Sequence, residues 1–519
     1  MAPGTRYIIR VALIVALGGF LMGFDASVIS GVVGFIEPEF GLSKIELGWS
    51  VASLTLTSTI AMMLAGPLSD RMGRRPVLKI AAALFTVSAV LSAVAPDFIT
   101  LVAARMLGGF GVGAALIIAP VYIAEIAPAD LRGRVVSFNQ LNIVIGISAA
   151  YFSNFLILSL GQSELAWAQA LGMDTGAWRW MLGVEALPAI FYFLALSFVP
   201  ESPRWLIMNQ RDKEAVDVMT QVSGRVEAQA ELADVRASIG AAVDSERASL
   251  RELFRPAMKL VLTIGIAVAI LQQITGINSV FFYAPMIFEQ SGIGTDASFM
   301  QAVLVGLVNL VFTVLAILLI DKLGRRPLLG AGLVVIAGCM LLLAWGFGTA
   351  TYTITHELIA SLPAAAGAEA LLPLVDQTYF SDVAFRDAVI GALGVEAFSA
   401  HQSALVSAAI DMNPTLILVG ILGFVAGFAI SLGPVMWVLF SELFPNRVRG
   451  LAISFVGLIN SSVSFLVQLV VPWELSRLGN SLTFLIYGLF AIVGLVIVMR
   501  LLPETKGRSL EELEADLVR

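Results

Sequence analysis

Three amide side chains lie close together in a stretch that is otherwise apolar. Gln272, Gln273 and Asn278 fall within seven residues of the segment 257–289. An amide inside an apolar helix is costly unless its hydrogen-bonding groups are used. Amides both donate and accept hydrogen bonds, so they suit the hydroxyls of a solute, but they also join neighbouring helices. The cluster therefore predicts solute binding, with hydrogen bonding between helices as the alternative.

Single charged residues interrupt other apolar stretches. Asp25 lies in GGFLMGFDASVISG, and Arg105 lies in AARMLGGFGVG. A lone charge in lipid is expensive, so we expect the two side chains to face the protein interior and to pair. Burial favours the protonated carboxyl and contact with arginine favours the ionised form, so making and breaking the pair would switch proton affinity. The alternative is a permanent structural pair. Glu185 is a second buried acid that either tunes this cycle or supports the fold.

Groups for catalysis or metal binding are scarce. The two histidines, His356 and His401, lack metal-ligand spacing, and no set of nucleophile and base is recognisable. Cys339 is the single cysteine, which rules out an intrachain disulfide. We therefore expect neither an enzyme nor a metal or cofactor.

The composition places these residues in a membrane. Of the 519 residues, 58% are hydrophobic and only 13% are charged, against about 25% charged in ordinary soluble proteins. So few charges cannot coat the surfaces of a soluble chain of this length, whereas they fit a surface that faces lipid. The net charge of −7 argues against nucleic-acid binding.

Twelve stretches are apolar and long enough to cross a bilayer, which takes about 20 residues. They are 8–35, 47–68, 77–95, 100–124, 135–160, 179–199, 257–289, 298–320, 327–348, 414–440, 451–475 and 481–501. Of the 31 lysines and arginines, 26 fall in the turns and termini of one side and four on the other. Because positively charged turns stay inside, both termini are predicted to be cytoplasmic.

Short motifs recur in the two halves of the chain. SDRMGRRPVL at 69–78 returns as IDKLGRRPLL at 320–329, an offset of 251 residues. EIAPADLRG at 125–133 returns as ELFPNRVRG at 442–450, and PE at 200–201 returns as PE at 503–504. The repeat predicts a six-span half at 1–200, a cytoplasmic helical linker at 201–255, a second half at 256–502 and a cytoplasmic tail at 503–519. The offset between the copies rises from 251 residues for the first motif pair to 317 for the second, which predicts an extracytoplasmic insertion at 349–413.

In these motifs the chain resembles the sugar porter family of the major facilitator superfamily, above all bacterial proton symporters of the xylose and galactose type. The resemblance covers nearly the whole chain and rests on six motifs in order: GRRP at 73–76 and 324–327, PESPRWL at 200–206, QQITGIN at 272–278, GPVMW at 433–437 and PETKG at 503–507. It implies an all-α membrane protein with the major facilitator fold, twelve transmembrane helices in two six-helix pseudo-repeats and a cytoplasmic helical linker. It also implies a monomer in the bacterial inner membrane.

The resemblance further implies a sugar site at mid-membrane between the halves. The positions that match the family's sugar contacts are Gln272, Gln273, Asn278, Asn309, Asn460 and Trp437. Phe24, Phe281 and Phe282 are candidates for an apolar wall, with packing in the core as the alternative. Ile147, Phe282 and Ser461 stand where many members have a glutamine, a tyrosine and a tryptophan. The expected substrate is therefore a monosaccharide or related polyol whose identity stays open.

Two helices are expected to be interrupted near this site. Gly276 and the low helix propensity of its motif predict local flexing in the seventh span. Gly433-Pro434, just before Trp437, predicts a break in the tenth span.

Charges at the cytoplasmic helix ends are expected to pair in two clusters. The first comprises Arg71, Arg75, Glu125, Arg132, Glu201 and Arg204, and the second comprises Arg326, Glu442, Arg449 and Glu504. In the family such residues latch the outward-facing state. The alternative is that the arginines only hold the turns inside.

The resemblance implies a secondary active transporter that works by alternating access. Family symporters pair the positions that match Asp25 and Arg105, which favours proton symport, whereas facilitators commonly carry asparagine in place of the aspartate. An uncoupled facilitator is one alternative, and a nutrient sensor that does not transport is another.

The acidity of the chain belongs to the insertion. Residues 350–413 hold seven acids and one base, Arg386, so their net charge is −6 and the rest of the chain is close to neutral. The insertion is expected to form short helices that cap the outer mouth. A negative mouth would gather protons and cations and disfavour anionic substrates.

Overall fold

The computed structural model describes residues 3–127, 132–224, 228–229, 232–233, 235–237, 249–362, 368–445, 447–508 and 512–514. Twelve helical segments within these ranges are long and apolar enough to cross a membrane. They coincide with the twelve predicted stretches, so the prediction of a twelve-span helical membrane protein is confirmed.

The first six spans and the segments between them contain nine helices in the described residues. These are α1 (Pro3–Val28), α2 (Val33–Phe40), α3 (Lys44–Met72), α4 (Arg74–Ala93), α5 (Phe98–Ile126), α6 (Arg132–Gly161), α7 (Ala166–Ala170), α8 (Ala177–Gly183) and α9 (Ala186–Ala195). The described part of the linker contains α10 (Pro203–Met208), α11 (Asp212–Ser223) and α12 (Leu250–Leu253).

The second six spans and the insertion follow. Their helices are α13 (Lys259–Ile274), α14 (Ile277–Glu289), α15 (Thr295–Leu323), α16 (Arg325–Gly348), α17 (His356–Ser361), α18 (Asp382–Leu393), α19 (Val395–Ala409), α20 (Pro414–Ile430), α21 (Leu432–Leu443), α22 (Arg449–Arg477) and α23 (Gly479–Leu501). Three short strands lie in the insertion: β1 (Thr351–Thr353), β2 (Thr378–Tyr379) and β3 (Ile410–Asp411).

Contacts divide the chain into two compact units. Unit 1 contains Met1–Ala26, Ser53–Ala150 and Arg179–Ala248, and unit 2 contains Ser27–Ala52, Tyr151–Trp178 and Ser249–Arg519. The division predicted from the repeat, into 1–200, 201–255, 256–502 and 503–519, follows sequence similarity rather than contacts, and it stays a prediction.

Two spans are interrupted, as their sequences suggest. The seventh span breaks between α13 and α14, where Gly276 has φ +95°. A Cβ at Gly276 would lie 2.5 Å from Cδ2 of Tyr487, so both the backbone conformation and the space require glycine. The tenth span breaks at Ser431, with φ −125° and ψ −94°, and not at Gly433-Pro434 as predicted. Those two residues lie in the first turn of α21, where proline is tolerated because its missing N–H would have no helical partner.

The insertion at 349–413 folds around a core of its own. Strand β1 is central and pairs antiparallel with β2 and with β3, so that Tyr352 faces Tyr379 on one side and Ile410 on the other. Tyr352 stacks on Phe385 with ring centroids 5.2 Å apart. The sequence predicted helices here but no sheet, because strands of two or three residues are too short to show an alternating pattern.

Helix α18 attaches the insertion to the turn between α22 and α23. The Oδ2 atom of Asp382 accepts hydrogen bonds of 3.1 Å from the backbone N and from Nδ2 of Asn480, at the start of α23. Arg386 donates to the carbonyl of Ser476, at the end of α22, over 2.6 Å. A carboxylate therefore meets a helix N-terminus and a guanidinium meets a helix C-terminus, which are the favourable pairings for the helix dipoles.

Replacing Asp382 by alanine tests this attachment. Asp382→Ala leaves Asn480 without its acceptor at the start of α23, and loss of such a cap costs about 1 kcal/mol. We expect a lower thermal unfolding temperature for the purified protein. Asp387→Ala removes an exposed acid from the same helix and should leave that temperature unchanged. Equal effects of the two variants would contradict the attachment.

Candidate functional site

Four of the six predicted sugar-contacting residues form one hydrogen-bonded group in unit 2. Gln272 and Gln273 lie at the end of α13, Asn278 in the first turn of α14 and Asn460 in the middle of α22. All four are buried. We call this group the amide network.

Each member of the amide network bonds at least one other member. Nε2 of Gln273 donates to Oε1 of Gln272 and to Oδ1 of Asn460, both over 3.1 Å. Nδ2 of Asn460 donates to Oε1 of Gln272 over 2.8 Å, and Nδ2 of Asn278 donates to Oε1 of Gln273 over 2.7 Å. The amide groups thus satisfy one another where no ligand is bound, and the same atoms suit the hydroxyls of a solute.

The amide network sits where two membrane helices are broken. Its α13 and α14 members flank the break at Gly276. Gln272 also donates to the carbonyl of Leu432, the first residue after the break at Ser431, over 3.1 Å. The breaks therefore bring backbone and side-chain polar groups to one place inside an apolar bundle, a form of irregular backbone that membranes tolerate where protein or a cavity surrounds it.

Two residues of this neighbourhood were missed by the sequence reasoning. Nδ2 of Asn278 donates to Oγ of Ser464 over 2.9 Å, and Nε2 of Gln468 donates to the same oxygen over 2.9 Å. Asn460, Ser464 and Gln468 are spaced four residues apart, so they share one face of α22. That spacing of polar residues along an apolar helix was a signal that could have identified them.

The other predicted substrate residues of unit 2 lie outside the amide network. Asn309 is buried on α15, and no hydrogen bond within the described chain joins it to the network. Trp437 on α21 is 47% exposed and packs edge-on against Phe440 with centroids 5.9 Å apart, so part of its ring remains free for stacking. Phe282 is half-buried on α14.

Two predicted residues belong to unit 1. Phe24 is buried near the end of α1, with its ring 6.0 Å from that of Phe20. Ile147 is half-buried on α6. Their roles in substrate binding stay predictions.

The two charges predicted to pair in unit 1 do lie together. Nη1 of Arg105 on α5 is 3.4 Å from Oδ1 of Asp25 on α1, and each residue is only 2% exposed. Gly108 makes this approach possible, because a Cβ there would lie 2.7 Å from Oδ2 of Asp25. The helices can therefore hold a charge pair out of contact with lipid.

Glu185 belongs to the same buried group. It lies in the turn between α8 and α9 and interacts electrostatically with both Asp25 and Arg105. Within the described chain, Oε1 of Glu185 and Oδ2 of Asp25 have no hydrogen-bond partner. The group thus contains two acids and one base, so it is electrically neutral only when it holds one proton.

An ionic cluster in unit 1 centres on Arg74. Its Nε and Nη2 atoms donate to the two oxygens of Glu125, each over 3.0 Å, and its Nη1 atom lies 2.9 Å from Oδ1 of Asp70. Oγ of Ser202 donates to Glu125 over 2.5 Å. Glu201 accepts the backbone N–H of Arg74 over 3.0 Å. Two parallel bonds between arginine and carboxylate make this pair strong and directional.

Unit 2 repeats the arrangement with equivalent residues. Arg325 donates to the two oxygens of Glu442 over 3.1 and 2.7 Å and lies 3.2 Å from Asp321. Thr505 donates to Glu442 over 2.7 Å, as Ser202 does to Glu125 in unit 1. Glu504 accepts the backbone N–H of Arg325 over 3.0 Å. The motif repeat found in the sequence is therefore a repeat of one hydrogen-bonded structure.

The structure assigns the carboxylate pairing to different arginines from those predicted. In the described part of the chain, no carboxylate forms an ion pair with any of four arginines that were expected to take part: Arg71, Arg75, Arg204 and Arg326. Arg75 and Arg326 donate instead to the carbonyls of Ser197 and Met499. Arg449 donates to the carbonyl of Phe444, and the side chain of Arg132 lies outside the described residues.

Helix geometry explains this correction. Arg74 begins α4 on the same face as Val77, Leu78 and Ala81, which are all buried, and Arg325 begins α16 on the same face as Leu328 and Leu329. The next residue along a helix is turned by about 100°, so the second arginine of each GRRP motif points away from the buried face. The periodicity of the helix that follows each motif could have identified the buried arginine.

The two equivalent acids of the clusters differ in proton affinity. Burial raises the pKa of Glu201. The hydrogen bonds that Glu201 accepts from backbone N–H groups oppose this rise only in part. Burial also acts on Glu504, but hydrogen bonds from backbone N–H groups outweigh it and lower the pKa of that carboxyl below its usual value. Acid therefore neutralises Glu201 before Glu504, and the cluster of unit 1 is the more sensitive of the two to falling pH.

Metal binding has no candidate in the described chain, since no three histidine, cysteine or acidic side chains there are placed to hold an ion. The interactions of the described sites are hydrogen bonds between amides and ion pairs between charged groups.

Known proteins share both the sequence and the fold. The chain is 34% identical over 517 aligned residues to an arabinose-proton symporter of Bacillus subtilis, with 99% of this chain and 96% of the relative covered. It is 33% identical to a D-xylose-proton symporter of Escherichia coli, with 98% and 96% covered. The solved inward-open conformation of the xylose transporter XylE from E. coli matches with a TM-score of 0.74 and 31% identity, over 98% of this chain and all of that one.

The family described as "Sugar (and other) transporter" matches residues 11–368 and 388–517. Only 369–387, which lies inside the insertion and includes Asp382 and Arg386, separates the two matched segments. A match over nearly the whole chain, together with relatives above 30% identity along their full length, shows that this twelve-span membrane protein belongs to the sugar transporter family of the major facilitator superfamily.

Proposed function

We propose that the protein is a secondary active transporter that moves a monosaccharide or related polyol across the bacterial inner membrane together with H⁺. The observation that carries this proposal is the amide network, since four buried amides placed at two helix breaks are suited to a ligand rich in hydroxyls. The names of the two relatives, an arabinose-proton and a D-xylose-proton symporter, support the same substrate class and the same coupling ion.

Sugar binding follows from the properties of the amide network. Its donors and acceptors bond one another, so few of its polar atoms are unsatisfied in the apolar bundle. A sugar exchanges these bonds for bonds to its own hydroxyls, which costs little, and the exposed part of Trp437 offers a face for its C–H groups. The phenylalanine at 282 and the isoleucine at 147 remove hydroxyl or amide contacts, so a substrate with fewer polar contacts is expected.

Proton coupling follows from the charge count around Arg105. With Asp25 and Glu185 both ionised, the group carries a net negative charge in a site of low dielectric, which favours uptake of one proton. A movement that separates Asp25 from Arg105 strengthens this tendency, and a movement that restores the pair releases the proton. The proposed cycle therefore uses the pair as its switch. A facilitator of the same fold is the second candidate.

The ionic clusters centred on Arg74 and Arg325 are proposed as conformational latches. Each cluster ties together the ends of several helices within one unit, so a rearrangement of those ends must break bidentate bonds. Contacts made in only one state bias a two-state equilibrium by their free energy.

The remaining parts of the proposal concern placement and partners. The excess of arginine and lysine in one set of turns places both termini in the cytoplasm and the insertion outside. We infer that the protein works as a monomer in the lipid bilayer, without a cofactor and without catalysing a chemical reaction.

Uptake into proteoliposomes tests the substrate class. Pentoses, hexoses, inositols and disaccharides are offered at two external pH values. We expect uptake of one or a few monosaccharides or polyols, and we expect Gln273→Ala to lower that uptake at least tenfold, because it removes the amide that bonds three network members. Gln140→Ala, which removes an exposed amide from α6, is the control. Uptake that is equal in both variants would remove the amide network from the mechanism.

Proton coupling is tested by Asp25→Asn, which keeps the shape of the side chain and removes its charge. We expect loss of accumulation against a gradient, while exchange of labelled for unlabelled sugar continues, because the binding site is intact. The comparison is Asp174→Asn, an exposed acid outside the spans. A variant that still concentrates sugar in response to a pH gradient would rule out Asp25 as the coupling residue and favour another acid.

Comparing Arg74→Gln with Arg71→Gln tests whether Arg74 is the arginine that pairs with the carboxylates of this cluster. Removing one partner of a buried pair costs about 3–5 kcal/mol because the other charge is left uncompensated, here on Glu125. Arg71 is exposed, so its variant should change stability by no more than about 0.5 kcal/mol. Thermal unfolding in detergent measures both. Similar losses of stability in the two variants would contradict the assignment of the buried ion pair to Arg74.

A further inference from the structure

A cavity of about 270 Å³ opens at the end of unit 2 that carries the insertion. Its wall is formed by the turn between α1 and α2, by α2 itself, by the end of α14, by the start of α15 and by one side of α19, the last helix of the insertion. We propose that this cavity is a second binding site, on the extracytoplasmic side, for a compact neutral polyhydroxylated solute. The proposal rests on the proposed function for its substrate class and its sidedness.

Unsatisfied polar atoms point to a ligand in this cavity. Ser30 is only 1% exposed, and its Oγ atom has no hydrogen-bond partner within the described chain. The Oε1 atom of Gln290 is also buried and has no partner there. A buried polar group left unpaired costs about 1–3 kcal/mol. Both residues line the cavity, so a molecule that donates and accepts hydrogen bonds from within it would recover that cost.

The rest of the lining suits a sugar. The rings of Phe35 and Phe299 lie edge to face with centroids 6.4 Å apart and offer apolar surface to C–H groups. Glu289 and Ser403 add a carboxyl group and a hydroxyl to the lining. Aromatic surface combined with a few polar groups is the usual composition of a small-molecule site.

Size and charge narrow the ligand class. The volume lies just below the ~300 Å³ at which pockets for drug-sized ligands begin, so a single sugar ring or a polyol is favoured over an oligosaccharide. Two carboxylates, those of Glu37 and Glu289, line the cavity, and only Glu37 has a described cationic partner, Lys44. Neither carboxyl group attracts an anionic sugar such as a sugar phosphate or a uronic acid, so a neutral ligand is favoured.

The insertion is required for this site. Helix α19 supplies Ser399, Gln402, Ser403 and Val406 to the wall. The same small domain is attached to the α22–α23 turn through Asp382 and Arg386, which lie in the segment that the family pattern does not match. The wall residues of α19 lie within the matched segment 388–517, whereas the residues that attach the insertion lie in the unmatched segment 369–387.

Equilibrium binding of radiolabelled D-xylose and L-arabinose to the full-length protein in lipid nanodiscs tests the proposal. The double variant Gln273→Ala/Asn278→Ala disables the amide network. We expect it still to bind at least one of the two sugars at the cavity, with lower affinity than the wild-type protein. Adding Ser403→Trp fills the cavity and should reduce that residual binding at least tenfold. Adding Ala404→Trp, which places the same ring on the exposed side of α19, should leave it unchanged.

The outcomes separate failure of this site from failure of the proposed function. If wild type binds a sugar but the double variant, with an unchanged unfolding temperature, binds none, the second site is wrong and the proposed function stands. If residual binding survives Ser403→Trp, the binding lies elsewhere and this assignment is overturned. If wild type itself binds neither sugar, the proposed pentose-like substrate class fails, and this inference fails with it.

Discussion

Polar groups inside a lipid bilayer must be satisfied by the protein itself, because lipid offers no hydrogen bonds. Most of the functional architecture follows from this constraint. The four amides of the network bond one another and the carbonyl of Leu432 at the break of the tenth span. Asp25 is held beside Arg105 in the space left by Gly108. In both places the protein itself supplies the partners that keep polar groups stable inside an apolar bundle.

The internal repeat of the sequence corresponds to a repeated set of hydrogen bonds between charged groups. Arg74 with Glu125 and Arg325 with Glu442 form equivalent bidentate pairs, and Ser202 and Thr505 donate to the same carboxylates in the two units. The two copies are not identical, because burial dominates at Glu201 and backbone hydrogen bonds dominate at Glu504. Two acids with equivalent hydrogen-bond geometry therefore have pKa values shifted in opposite directions, which a comparison of the motifs alone does not show.

The insertion is stabilised by a hydrophobic core that is separate from the membrane-spanning helices. Its core of Tyr352, Phe385 and neighbouring apolar residues gives it a fold of its own, and Asp382 and Arg386 attach it to two membrane helices through their dipoles. Polar side chains of α19 line one cavity together with residues of α2 and the end of α14. The acidity of the chain is concentrated in this small domain, and the rest of the chain is close to neutral.

The sequence by itself determined the twelve spans, the repeat, the family, the members of the amide network and the pairing of Asp25 with Arg105, because apolar length and the cost of polar residues in lipid act locally along the chain. Only the tertiary structure decided which arginine of each GRRP motif is buried, since this depends on the helix face that packs. It also decided that the tenth span breaks at Ser431 and that Ser464 joins the amide neighbourhood. The sheet of the insertion and its cavity likewise required the structure, because pairings between residues far apart in sequence leave no local pattern.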